Sequence, residues 1–152
     1  MPNPFELFIF RIIQSFMFKK QPVNQPCPCQ SGRKFKGCCK PILSGQAASS
    51  PEVLMRSRYT AYATGQVDHI LRTTHPLGPQ FQSNDSAWRR EVEHFCQINR
   101  FVSLEIHDHS AQGTVGRVHF TAQLQHGKNR VVLEERSLFY RVHDRWLYWG
   151  KE

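Results

Sequence analysis

Four of the five cysteines lie within thirteen residues, Cys27-Pro-Cys29-Gln-Ser-Gly-Arg-Lys-Phe-Lys-Gly-Cys38-Cys39, spaced C-x-C-x8-C-C. A segment this short cannot build a hydrophobic core, so another agent must order it. Four thiolates suit a tetrahedral metal site with Zn–S bonds of about 2.3 Å. Gly32 and Gly37 permit sharp backbone reversal, and Arg33, Lys34 and Lys36 offset thiolate charge. Four protein ligands leave no open coordination position, so the expected metal, Zn²⁺ on Cys27, Cys29, Cys38 and Cys39, is structural and not catalytic.

Two other uses of clustered cysteines fit this segment less well. Disulfides need an oxidising compartment, and vicinal Cys38-Cys39 fits disulfide geometry poorly. A redox dithiol more often reads C-x-x-C beside a βαβ unit, which is absent. The whole string resembles the SEC-C zinc motif, first known at the C-terminus of the SecA translocation ATPase and written C-P-C-G-S-G-K-K-[FY]-K-x-C-[CH]. Gln30 stands here where the motif has its first glycine.

The elements that must carry this segment follow from pattern. Residues 5–18 are apolar but are interrupted by Glu6 and Arg11, short of the ~20 residues of a membrane-spanning helix. They read as a weak amphipathic helix, or as residues ahead of a biological start at Met17. Residues 1–26 are thus an apolar extension and linker, 27–40 the zinc segment, 41–50 a second linker and 51–150 the main domain. Ser50-Pro51-Glu52 starts a helix, with an N-cap, proline at N1 and an acid in the first turn; Gly65 closes it. A shorter helix is expected over Val67–Thr74, and a third from Asp85 or Ser86 to about Ile98.

Strand alternation then marks Phe101–Asp108, Val115–Gln125, Arg130–Val142 and Arg145–Trp149, with turns at His126–Asn129 and His143-Asp144. Helices followed by a four-strand meander give an α+β fold, the helices packed on one sheet face.

One helix residue is out of place. Leu54, Met55, Arg58, Tyr59, Ala61 and Tyr62 share a broad face, and Arg58 lies near its middle. Arg56, Ser57, Thr60 and Thr64 form the polar side. A guanidinium on an apolar face needs a partner or a route to water. Glu134, Glu135 and Asp68 are available; Glu135 alternates with Val131, Leu133 and Phe139 and so faces inward. Arg58 paired with Glu135 is either a structural ion pair or the floor of a charged pocket. His75, before a proline, is either a loop residue or a general base at the pocket mouth. Cys96 reads as a buried apolar residue. His107 and His109 share a strand face without the company that metal binding wants.

Here the resemblance widens. Pro51-Glu52-x-Leu54-Met55-Arg56-Ser57-Arg58-Tyr59-x-Ala61, then Thr74-His75-Pro76, Glu135-Arg136-Ser137-x-Phe139 and Trp146-x-Tyr148 are similar to the bacterial YchJ family, over about residues 27–150. The resemblance implies a nuclear-transport-factor-2-like (cystatin-like) cone. Its helices cross a curved antiparallel sheet and enclose a cavity near Arg58, Tyr59, His75 and Glu135. Members commonly carry a second SEC-C motif; the sequence through Glu152 contains one.

Charge divides unevenly. Residues 1–50 hold seven basic residues and one acid, residues 51–152 thirteen and eleven, within a formal net charge of +8. The basic zinc segment suits docking on RNA, the ribosome surface or an acidic protein. Clustered thiols suit the reducing cytoplasm. No Walker loop, G-x-S-x-G elbow or H-E-x-x-H helix occurs. The expectation is a non-enzymatic zinc-binding adaptor or binding module. The alternative is a small-molecule isomerase or hydratase working in the cone, and a dimer is compatible with either.

Overall fold

The computed structural model describes residues 3, 4 and 20–152; the apolar stretch over 5–18 and the start at Met17 lie outside the described residues. Helix α1 (Cys39–Leu43) follows a 3-10 turn at Phe35–Gly37. Helix α2 (Pro51–Thr64), α3 (Val67–Arg72) and α4 (Asp85–Ile98) come next, then strands β1 (Asn99–Gln112), β2 (Val115–His126), β3 (Asn129–Val142) and β4 (Arg145–Lys151). The sheet is an antiparallel meander in the order β1-β2-β3-β4. Among the described residues, no helix is long and apolar enough to cross a membrane.

The boundaries of α2 follow from local chemistry. Ser50 Oγ accepts the Val53 N–H at 3.1 Å, and Gly65 closes the helix at φ 70°, a left-handed value that glycine adopts without a Cβ penalty. Helix α4 is capped by Asn84, whose Oδ1 accepts from Ala87 N. It buries Trp88, Val92 and Cys96, four residues apart on one stripe. It passes into β1 with no loop, two residues before the expected strand start. The β2–β3 turn is tighter than the four residues expected, with only Gly127 and Lys128 between strands.

Buried β2 positions alternate as Gly116, Val118, Phe120, Ala122 and Leu124. With Leu104, Phe139 and Trp146 they form the sheet side of the core. Bulges in β1, between Phe101 and Ser103 and between Ile106 and Asp108, and in β4, between Tyr148 and Gly150 opposite Leu138 and Phe139, bend the strands. At the other end Gly116 lets the sheet approach α2: a Cβ there would meet Pro51 and come within 3.1 Å of the Trp146 ring.

The reading of residues 41–50 as a linker needs correction. Ile42 and Leu43 of α1, and Ala48 beyond it, are buried in the same core cluster as Leu54 and Tyr59. Arg72 Nη2 donates to Leu43 O at 2.6 Å and Ile42 O at 3.3 Å, capping the C-terminal carbonyls of α1. The cysteine segment is therefore a knuckle built into the main domain. This also explains α2, whose polar side is not a solvent face: Ser57 and Thr60 have no exposure.

Candidate functional site: a cysteine knuckle and a charged cone cavity

The knuckle is shaped by its backbone. Cys27 N donates to Arg33 O (2.8 Å), Gln30 N to Cys27 O (3.0 Å) and Cys38 N to Phe35 O (3.1 Å). These turns converge Cys27, Cys29, Cys38 and Cys39, whose sulfurs all lie within 4.8 Å of one another. All four are free thiols. The Cys29–Cys38 and Cys38–Cys39 sulfur separations are 3.5 and 4.0 Å. A tetrahedron with 2.3 Å metal–sulfur bonds has edges of about 3.8 Å, so the donor set fits a four-thiolate metal ion. Both distances are far longer than a disulfide bond of about 2.05 Å.

Electrostatics also favours a cation at the centre. Hydrogen bonds from the Cys29 and Cys39 side chains hold the Cys27 thiol far below its usual range, at about 3. Cys39, hydrogen-bonded to Cys27 and Cys29 and desolvated, is pushed strongly up. Thiols this crowded cannot all ionise without an added positive charge. Donors from outside the ligand set assist: Thr60 Oγ1 donates to Cys39 Sγ at 3.3 Å, and Ser31 Oγ lies 3.1 Å from Cys38 Sγ. Such outer hydrogen bonds orient thiolates and disperse their charge. Sequence reasoning placed Thr60 only on the polar side of the helix with Arg56, Ser57 and Thr64 and did not connect it to the cysteines.

Gln30 explains its own departure from the motif. Its φ of 59° lies in the left-handed region, which accounts for the glycine of the motif pattern. In return its amide reaches edge strand β1, where Nε2 donates to Val102 O at 2.8 Å and Oε1 accepts from Leu104 N at 3.4 Å. From the other side Arg56 Nη1 donates to Cys29 O at 3.0 Å while its Nε binds Glu52. The knuckle is clamped between α2 and β1.

On the opposite side of α2 the helices and the sheet enclose a cavity of about 240 Å³. Arg58, Tyr59 and Glu135 line it; His75 does not. His75 packs edge-on against Trp149 (5.0 Å) and Tyr140 (6.0 Å), and its Nδ1 accepts the Leu77 N–H. It is a loop residue, not a base at the cavity mouth.

Arg58 and Glu135 share the cavity but form no direct ion pair, which corrects the expected pairing. Arg58 is 4% exposed. Its Nη1 donates to Ile70 O (3.1 Å), Thr73 Oγ1 (2.8 Å) and Thr74 Oγ1 (3.2 Å) at the end of α3. Its guanidinium carbon lies 4.4 Å from the Tyr148 ring centroid, a cation–π contact. Tyr148 OH donates to Glu135 Oε1 at 2.8 Å, and Ser137 Oγ donates to the same oxygen at 2.7 Å. Tyr148 thus stands between the two charges. It is held there by the loop after α3, since Tyr148 N donates to Thr73 O and His75 N to Tyr148 O, each at 2.8 Å. Burial lowers the Arg58 pKa, opposed by Tyr62, Tyr148 and Glu135. Burial foremost, then Glu135, raises that of Tyr148.

Two other candidates carry no chemistry. Cys96 is buried, and desolvation pushes its thiol up to about 12, so it stays protonated. His109 binds Glu52 (3.1 Å), whereas His107 binds Thr121 (2.7 Å).

The family model of the SEC-C motif matches residues 24–41, and that of the YchJ middle NTF2-like domain matches residues 50–150. A UPF0225 protein of Pectobacterium carotovorum is 38% identical, over 83% of this chain and 82% of its own length. One from Deinococcus radiodurans is 36% identical, over 84% and 88%. The solution structure of a SEC-C motif containing protein from Rhodopseudomonas palustris is 31% identical, with a TM-score of 0.73 over 84% of this chain and 98% of that one. A SEC-C motif containing protein from Psychrobacter arcticus shares the fold at 20% identity and a TM-score of 0.69, over 86% and 82%. With a cysteine knuckle that could hold a metal ion joined to an NTF2-like cone, and relatives matched over most of their length, the chain belongs to the YchJ (UPF0225) family.

Proposed function

We propose that this protein is a non-enzymatic, zinc-binding module of the reducing cytoplasm: its knuckle docks on an acidic protein or ribonucleoprotein surface, and its cone holds a small ligand. Zinc is the metal that four cysteine thiolates at these separations suit best. It would be held by Cys27, Cys29, Cys38 and Cys39, and its role is to order the knuckle. The observation that carries the docking reading is the layout of charge. The sulfurs point inward, while Arg33, Lys34, Lys36 and Lys40 are exposed on the same thirteen-residue knuckle and its first helical turn. A rigid basic surface of this kind recognises dense negative charge. The test is association with purified ribosomes and with acidic proteins, measured against salt. Binding should fall steeply with ionic strength and disappear in a Lys34→Glu, Lys36→Glu, Lys40→Glu variant that still holds its metal. Association indifferent to both changes would refute docking through the knuckle.

The hydrogen bond from Tyr148 to Glu135 within an apolar cavity favours a second reading, proton-transfer catalysis of the isomerase or hydratase type. Against it, Glu135 Oε1 already accepts two hydrogen bonds and His75 lies outside the cavity. Turnover abolished by Glu135→Gln, with ligand binding retained, would establish the catalytic reading.

A further inference from the structure

The cone cavity limits its occupant by size, charge and hydrogen bonding, and we infer that it takes a neutral single-ring ligand bearing one hydrogen-bond donor, with the donor on Glu135. This rests on the proposed reading that the cone holds a small ligand.

Size comes first. An apolar cavity of about 150 Å³ accommodates benzene, so about 240 Å³ suits a ring with one short substituent. The walls suit a ring as well. Tyr59, Tyr62, Phe95 and Phe101 form one aromatic group, with Tyr62 and Phe101 stacked at 5.9 Å and Tyr59 edge-on to Phe101 at 5.4 Å. Ala122, on the facing sheet, leaves room opposite.

Charge comes second. Arg58 and Glu135 both line the cavity, so their charges oppose each other there. An anionic ligand meets the Glu135 carboxylate and a cationic one meets Arg58. The lining pair sums to zero, so neither ion gains a net counter-charge to offset its desolvation.

The donor follows from the remaining hydrogen-bond capacity. Arg58 is 4% exposed, with Nη1 on three acceptors and the guanidinium against the Tyr148 ring, so it offers a ligand little open surface. Glu135 Oε1 has two donors, but Oε2 has none among the described residues. No fully buried side-chain oxygen or nitrogen among those residues lacks a partner, so Oε2 keeps accessible surface. A carboxylate oxygen left open beside an apolar cavity accepts from a hydroxyl or amide.

Four single-ring probes of similar size separate the terms: benzyl alcohol, toluene, benzoate and benzylamine, titrated into the intact, metal-loaded protein and followed by protein-detected NMR. Benzyl alcohol should bind at least tenfold more tightly than toluene, and the two charged probes more weakly than either. In Glu135→Gln, which leaves the Arg58 charge unopposed, benzoate should gain at least tenfold on benzyl alcohol while toluene is unchanged. The wild-type series decides the matter alone should that variant not fold. Equal binding of toluene and benzyl alcohol, or tightest binding by a charged probe, overturns this inference and leaves the ligand cavity standing. Binding by none of the four removes the ligand cavity itself, and this inference with it.

Discussion

Removing the metal proposed for the knuckle should destabilise the whole protein, not the knuckle alone. Phe35, Ile42 and Leu43 are 5%, 6% and 7% exposed and belong to the same cluster as the core of the cone. Fully burying such a side chain stabilises by about 1.5–3 kcal/mol, so the three together contribute roughly 5–9 kcal/mol, an upper estimate because denatured chains already bury some surface. The knuckle's clamps on Val102, Leu104 and Arg56 would be lost with them. Domains of this size have about 5–15 kcal/mol in total, so the loss consumes much of it. At about 2–4 °C per kcal/mol, thermal unfolding followed by circular dichroism should shift down by ten degrees or more when a strong chelator strips the metal. It should stay a single transition, with metal release confirmed by elemental analysis. Complete metal loss with the main transition unmoved, or a small separate transition for the knuckle, would refute the shared core.

Three further outcomes can be checked on the same material. Tyr148→Leu should couple to Arg58→Met by about 1–2 kcal/mol in a double-mutant cycle, whereas Tyr148→Phe, which keeps the ring, should retain most of that coupling; urea denaturation reads both. Gly116→Ala should destabilise by about 1–3 kcal/mol, since its methyl meets Pro51 and Trp146, and a neutral result would mean that α2 is free to move off the sheet. Burial foremost, then the charges of Arg72 and Arg58, lowers the His69 pKa from 6.5 to about 3; the unfolded chain therefore takes up the proton first, and stability falls as pH drops from about 6.5 toward 3, by up to ~1.4 kcal/mol per pH unit. Denaturation at pH 7, 6 and 5 should show this slope reduced in His69→Gln, and equal slopes in the two proteins would disprove it.

Much of this was legible because it is local. Ser50-Pro51-Glu52 and Gly65 bound α2 by capping chemistry that needs no partner, and period-two alternation marks β2 from Val118 to Leu124. The cysteine spacing carries its own chemistry for the same reason. What could not be read is what the other side of each element touches. Ser57 and Thr60 look like a solvent face on a helical wheel, but the knuckle and α1 cover them. Residues 41–50 look like a linker because Pro41, Ser44 and Gly45 outweigh Ile42 and Leu43 in composition. Helical and strand periodicity turned Arg58 and Glu135 inward toward one another, yet periodicity has no knowledge of Tyr148 on β4, which the loop after α3 holds between them.

Helix α2 is where these parts meet. Within one turn it presents Arg58 and Tyr59 to the cavity and Thr60 to the thiolates, with Arg56 reaching the Cys29 carbonyl. A helix constrained on both sides cannot shift toward one without disturbing the other, because a close-packed interior transmits displacement and does not absorb it. The loop at Thr73 and Thr74 adds a second tie: it holds Arg58 by its Nη1 and Tyr148 by its backbone. Loss of the proposed metal would therefore reach the cavity through the registry of a single helix, even though the cysteine cluster and the cavity share no residue. The basic surface, the knuckle beneath it and the cone behave as one mechanical body. The docking and the cone occupancy proposed above would then be linked equilibria, and any free-energy coupling between them would have to appear equally in both directions.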